Sequence, residues 1–341
     1  MNKVITFGEI MLRLSPPDHQ RIFQANIFDV TYGGAESNVA AVLAQLGCDT
    51  FFVTSLPDNP LGKAAEGHLK RFGIKTDYIQ KRKNSRLGVY FLEAGVSQRP
   101  SNVTYDRKKS AISVCKKEDF NWNEIFDNAV WFHFTGITPA LSDNVAEITY
   151  EAVKTAKKKG LKVSCDLNYR GKLWSQEKAK EVMTPLMEYV DVVIGNEEDA
   201  EKIFGIRAED SSIEKGKLKK EDYEIVAQKL VSEFDLDFAA ITLRESYSAS
   251  INGWSAIIHN GKKMFESKKY EIHIVDRVGG GDSFAGGLIF SLINSKPVDD
   301  ALEFAVACSA LKHTVPGDFN IITTNEVESL WKSSGSGRIK R

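Results

Sequence analysis

The chain of 341 residues is poor in cysteine, with only Cys48, Cys115, Cys165 and Cys308. They lie far apart and form no CxxC pair. That spacing argues against a disulfide framework or a zinc site, and for reduced, mostly buried thiols. An excess of charge is missing too. Lys+Arg number 45 against 46 for Asp+Glu, so nothing global points to nucleic acid or a membrane surface. The apolar runs are too short or too interrupted to span a bilayer. Met1 to Glu9 enter a strand with no signal-peptide core, so a cytoplasmic protein is expected. No internal repeat and no domain-dividing linker is visible. No GxGxxG follows the first strand, which makes a dinucleotide oxidoreductase a poor fit. What remains is an ordinary globular composition, 42% hydrophobic and 27% charged. It suits one large α/β domain or two modest ones.

Apolar runs and helical patterns alternate along most of the chain. Val4–Gly8, Thr50–Leu56, Val130–Thr138, Lys162–Asn168, Val190–Gly195 and Phe238–Leu243 read as core strands. Helices are expected from Gly33-Gly34 to Gly47, from Asn59-Pro60 to Phe72, from Asp143 to Gly160 and over Asp299 to His313. Strand followed by helix, repeated, implies a parallel sheet covered on both faces. Two regions break the rhythm. Residues 10–32 alternate loosely, and Gly88–Glu93 with Asn102–Arg107 read as an antiparallel pair. Together they predict a small sheet, either a lid that excludes water or a plain edge extension. The charged residues 207–222 read as a surface loop, and residues 331–341 as a disordered tail.

The most specific stretch is Asp276-Arg277-Val278-Gly279-Gly280-Gly281-Asp282. It lies between a strand pattern over 269–275 and the apolar helix Leu288–Ile293. Three glycines at such a junction let backbone N–H groups turn toward an anion, and the helix N-terminus adds partial positive charge. A carboxylate there suits a general base for an attacking hydroxyl. Taken alone, the stretch is equally a capped turn. Asn196-Glu197-Glu198-Asp199 could orient a hydrated Mg²⁺ or simply begin a helix. His133, flanked by apolar neighbours, reads as a buried histidine and not a catalytic one.

Gly33-Gly34 early, the lid pattern, Asn196-Glu197-Glu198-Asp199 and the late GGGD together resemble the ribokinase-like (PfkB) carbohydrate kinases, to about residue 330. The resemblance implies a three-layer α/β/α sandwich as one domain over 1–330, with lid strands from about 10–32 and 86–113. It implies transfer of the ATP γ-phosphate to a sugar hydroxyl. Gly33–Asn38, Gly88–Phe91, Tyr105–Lys108, Thr135–Thr138, Asp166–Arg170 and Leu173–Ser175 are similar to 2-keto-3-deoxygluconate kinases within that family.

On that resemblance Gly33, Gly34, Tyr90, Tyr105, Arg107 and Arg170 meet the sugar acid. Asp282 takes the proton of its C6 hydroxyl, and Gly279, Gly280 and Gly281 steady the transferring phosphoryl group. Asn196, Thr242, Arg244, Gly279, Gly281 and Ser309 serve ATP. Asn196 and Asp199 place Mg²⁺ through water. Guanidinium forks suit a carboxylate, which a neutral sugar such as fructose lacks, so a fructokinase is the alternative reading. A homodimer joined through its lids is expected. The sequence departs from the family pattern in places. Arg277-Val278 and Gly280 stand in place of the usual Thr-Thr and Ala. Asp199 is one methylene shorter than the usual Glu, Asp106 replaces a lid aromatic, and Arg244-Glu245-Ser246-Tyr247 replaces nucleotide-side glycines. Arg277 takes no role that the sequence alone supplies.

Overall fold

The computed structural model describes residues 2–208 and 220–332. In chain order its strands begin β1 (Lys3–Phe7), β2 (Met11–Ser15), β3 (Asp29–Gly33), β4 (Asp49–Pro57), β5 (Ile79–Arg82), β6 (Gly88–Glu93) and β7 (Asn102–Asp106). They continue β8 (Ala129–Thr135), β9 (Lys162–Asp166), β10 (Val192–Gly195), β11 (Phe238–Ser246), β12 (Ile251–His259), β13 (Met264–Glu266) and β14 (Tyr270–His273). The helices begin α1 (Ala35–Gln45), α2 (Pro60–Arg71), α3 (Trp122–Ile125), α4 (Asp143–Lys158) and α5 (Gln176–Met187). They continue α6 (Glu197–Phe204), α7 (Lys220–Phe234), α8 (Gly280–Ile293), α9 (Val298–Lys312) and α10 (Thr324–Lys332).

The large sheet runs β13-β12-β11-β10-β9-β8-β1-β4-β5, with β14 beside β12. From β11 to β5 every pair is parallel, while β12 is antiparallel to β11, β13 and β14. Adjacent residues of β1 enter opposite cores, Val4 on one face and Ile5 on the other. Val4 belongs to the core that also holds Leu43 of α1, Phe284 and Leu288 of α8, and Leu302 of α9. Ile5 belongs to the core that also holds Ile148 of α4, Met183 of α5 and Leu230 of α7. The result is the sheet covered on both faces that the alternating pattern predicts. Helix starts follow local chemistry: the Asn59 side chain accepts from Leu61 N and Gly62 N ahead of Pro60, and Ser142 Oγ accepts from Val145 N.

The second sheet runs β3-β2-β6-β7. β6 and β7 are antiparallel, as their turn-separated alternation implies, and Tyr90 lies directly across from Tyr105. Only the ends of 10–32 are strands, because Pro16-Pro17 interrupts the alternation and Ile22–Gln24 forms a 3₁₀ turn. Three other expectations need correction. The strand before the glycines ends at His273, pairs antiparallel with β12 and lies outside the parallel core. Lys220, Glu221 and Asp222 open α7, where the acids suit a helix N-terminus, while 209–219 lie outside the described residues. Trp331 and Lys332 complete α10, and 333–341 lie outside the described residues. The helix α5 was not legible, having Pro185 within it, and the mostly polar edge strand β5 gave no strand pattern.

Candidate active site

The start of α8 is built by its neighbours. Gly279 precedes the helix at φ 86°, a left-handed conformation that favours glycine, and a Cβ there would strike the carbonyl of Asp318. Asp276 secures the approach: Oδ1 accepts from Val278 N at 3.0 Å, and Oδ2 accepts from Gly317 N at 3.0 Å. The same Oδ2 accepts from Arg13 Nη2 at 2.6 Å, and Arg13 Nη1 donates to Asp318 Oδ1 at 2.7 Å. Arg13 comes from β2, so a buried ion cluster ties the small sheet to the glycine turn. Around Gly280 the space that a Cβ would fill is held by the His313 ring, 2.5 Å from the ideal Cβ position. The site of the usual alanine is therefore a histidine contact. Gly281 has nothing within 4 Å of its Cβ direction.

Asp282 lies in the first turn of α8, where the N-terminal dipole favours a negative charge. Its Oδ2 accepts from Asn38 Nδ2 at 2.6 Å, and Asn38 Oδ1 accepts from Gly34 N at 3.2 Å. Two helix N-termini, those of α1 and α8, thus converge on one carboxylate. Gly34 is extended at φ 176°, and its need for glycine is steric: a Cβ would overlap the carbonyl of Glu9. Asp282 keeps some exposure, yet burial pushes its carboxyl up to about 7. The Asn38 bond works against that rise, and the charge of Asp318 adds to it. A carboxyl near neutrality, beside a turn suited to anions, can accept a proton from a hydroxyl.

Around this centre the other expected residues take distinct places. Tyr90 is buried, and its hydroxyl donates to Asp318 Oδ2, so its ring remains as a contact surface. Gly33 leaves room for that same Asp318 carboxylate. Tyr105 is exposed and lies under the Arg107 guanidinium, 5.5 Å from ring centroid to Cζ. Arg107 pairs with buried Glu9, which partly spends its charge. Arg170 is exposed and makes no ion pair among the described residues; its Nη1 donates to its neighbour Tyr169's carbonyl at 2.9 Å. Its charge still reaches Asp166, Asp199 and Asp282, easing each toward the ionised form.

Asn196 and Asp199 form a capping box. Asn196 Oδ1 accepts from Asp199 N at 2.9 Å, and Asp199 Oδ2 accepts from Asn196 N at 3.3 Å. Asp199 Oδ1 also accepts from Tyr169 N at 3.0 Å, joining the end of β9 to α6. Thr242 Oγ1 donates to Gly195's carbonyl at 3.4 Å. Arg244 is exposed beside Arg277, whose guanidinium burial and Arg244's charge hold below its ordinary value. Arg277 Nη2 donates to Ala249's carbonyl at 2.9 Å, anchoring the turn before α8 to the β11–β12 hairpin. Ser309 is fully buried and donates to the Gly280 carbonyl at 2.7 Å, so it holds the turn from behind. His133 is buried as expected, with Nδ1 2.8 Å from Ser164 Oγ, and burial lowers it to about 3.

Several working residues went unassigned from sequence. Asn38, Arg13, Asp276 and Asp318 are among them. Glu36 is another: its Oε1 accepts from Thr135 N (3.0 Å), Thr135 Oγ1 (2.7 Å) and Thr138 Oγ1 (2.6 Å). It ties α1 to the end of β8, joining two of the stretches that carried the resemblance. Asp166, buried at the C-terminal end of β9, has no hydrogen bond to its carboxylate among the described residues. Burial, then the charges of Asp199 and Asp282, raise it well above the usual carboxylate range. No cluster of three or more His, Cys, Asp or Glu is placed to hold a metal among the described residues.

A family model described as pfkB family carbohydrate kinase matches residues 1–325. The chain belongs to this family. A crystal structure of 2-dehydro-3-deoxygluconokinase from Thermotoga maritima is 55% identical, covers 97% of this chain and 98% of its own, and superposes with a TM-score of 0.94. Among sequence relatives, a 2-dehydro-3-deoxygalactonokinase of Haloferax volcanii is 34% identical over 98% of both chains. A 2-dehydro-3-deoxygluconokinase of Bacillus subtilis is 27% identical over 94% of this chain and 93% of its own. As a pfkB carbohydrate kinase the chain is an ATP-dependent sugar kinase with the three-layer fold and smaller sheet described above. Among the described residues no helix is long and apolar enough to cross a membrane.

Proposed function

We propose that this pfkB kinase transfers the γ-phosphoryl group of ATP to the C6 hydroxyl of 2-keto-3-deoxygluconate, giving 2-keto-3-deoxy-6-phosphogluconate and ADP. The observation that carries the reading is Asp282, held by Asn38 in the first turn of α8 and raised to about 7. The bond from C6 oxygen to γ-phosphorus forms as the bond from γ-phosphorus to the ADP oxygen breaks, and the hydroxyl proton passes to Asp282. The N–H groups of Gly279, Gly280 and Gly281 receive the charge of the transferring group, and the open side of Gly281 leaves a phosphate free to approach. Arg244 and Arg277, two neighbouring cations, favour the polyphosphate as their counter-charge.

The ring of Tyr90, with Tyr105, Gly33 and Gly34, would line the sugar side. Arg170 is the guanidinium best free to meet the sugar carboxylate, since Arg107 already faces Glu9. Oxygen donors suit Mg²⁺, which keeps several waters and needs only one or two protein carboxylates. Asn196 and Asp199 would serve through water, with Asp166 the adjacent uncommitted carboxylate. Bound there, Mg²⁺ would neutralise phosphate charge. The small sheet with its flanking residues would act as a lid. Phe23, Ile27 and Val30 stand exposed there, which supports a homodimer joined at this face, and the composition supports a cytoplasmic enzyme.

A galacto-configured epimer is a second reading, favoured by the 34% identical Haloferax relative. Coupled ADP release with 2-keto-3-deoxygluconate, 2-keto-3-deoxygalactonate and fructose separates the readings. The 2-keto-3-deoxy acids should be phosphorylated far better than fructose. A preference for fructose would overturn the sugar-acid assignment.

A further inference from the structure

Lys312 is among the largest fully buried side chains of the protein. It lies on α9 with Ser309 and His313, three and four residues apart on one helix face. All three turn toward the start of α8. Ser309 donates to the Gly280 carbonyl, the His313 ring fills the space beside Gly280, and Lys312 Cε is 3.2 Å from where a Cβ of Gly279 would be. Lys312 Nζ donates to the carbonyl of Val315 at 3.0 Å and reaches that of Asp276 at 3.5 Å. Burial pulls its ammonium below the ordinary lysine value, while the carboxylates of Asp276 and Asp318 oppose that fall.

Packing alone does not account for a lysine here. Burying an ammonium costs several kcal/mol, and methionine would fill the same space without that cost. We propose that Lys312 is a positioning residue for phosphoryl transfer: its ammonium supplies a fixed positive charge behind the glycine turn and holds the carbonyls of Asp276, on the approach to that turn, and of Val315. It touches no reacting atom. Its charge acts through the low-dielectric interior on the anion gathered at Gly279–Gly281, where a fixed charge is worth far more than in water.

This inference rests on the kinase reading above, and the experiment keeps the two apart. Lys312→Gln keeps a neutral donor for the carbonyls, while Lys312→Met keeps only the bulk. Both are assayed by ADP release beside wild type, with melting curves. The fixed-charge role requires both variants to fold, to keep KM for the sugar acid within about twofold, and to lose at least about tenfold in kcat. Ammonium chloride, against tetramethylammonium chloride at equal ionic strength, should partly restore a Lys312→Ala variant. Wild-type kcat in folded Lys312→Gln would show that only the carbonyls needed a donor, and would overturn the charge. Failure of both variants to fold would assign Lys312 to structure and overturn it equally. A wild-type enzyme inactive on every sugar acid would instead remove the kinase-substrate reading.

Discussion

At the residue scale, Asp282 is where folding and chemistry oppose each other. Its folded carboxyl titrates at about 7, above its ordinary value of 3.8. The folded state therefore holds a proton that the unfolded chain releases between those values. Its contribution to stability is full below the unfolded value and is lost as pH rises through about 7. On the proposed base role, catalysis runs the other way, because a general base works only when ionised. The value of kcat/KM should climb through a pH near 7, and a profile flat from pH 5.5 to 8.5 would refute that titration. Arg170 gives a second residue-scale expectation. Arg170→Ala should raise KM for the sugar acid about 10- to 100-fold, the worth of one hydrogen bond to a charged group. KM for ATP should change much less; equal rises in both would count against a carboxylate contact.

At the element scale, the small sheet and the glycine turn are joined by Arg13, lodged between Asp276 and Asp318. Arg13→Ala would remove the cation that pairs directly with both buried carboxylates, at a cost of roughly 3–5 kcal/mol. Denaturant titration should record a lowered midpoint with an unchanged slope. A variant as stable as wild type would mean that the cluster contributes nothing to folding. None of this was legible beforehand, since Arg13 lies hundreds of positions from Asp276 and Asp318 and each alone is an ordinary charge. The elements themselves were legible where local chemistry chooses them: Asn59-Pro60 at a helix start, the alternation of Gly88–Glu93, the apolar run of β8. Long-range burial escaped. Glu36 and Asn38 stood within a quoted motif without roles, because their partners Thr135, Thr138 and Asp282 arrive only through the fold.

For the whole molecule, three stretches distant in sequence meet at the C-terminal ends of parallel strands, where open α/β sheets bind ligands. α1 brings Gly34 and Asn38, the end of β9 brings Asp166 and Arg170, and α8 brings the glycines and Asp282. A ligand bound across all three should stabilise the whole fold. At 100 times its Kd the sugar acid would add about 2.7 kcal/mol. Thermal unfolding should shift upward with 2-keto-3-deoxygluconate, and fructose at the same concentration should leave it in place. An equal shift with fructose would argue that the arginines do not choose the substrate.

The most direct test is kcat for ADP release with 2-keto-3-deoxygluconate, compared between wild type and Asp282→Asn. The amide keeps a partner for Asn38 and removes a buried charge, so its melting temperature above pH 7 should equal or exceed that of wild type. The expected result is a folded variant with kcat lower by about 10² to 10⁴ and KM values near wild type. A folded Asp282→Asn enzyme within a few-fold of wild-type kcat would contradict the assignment of Asp282 as the base.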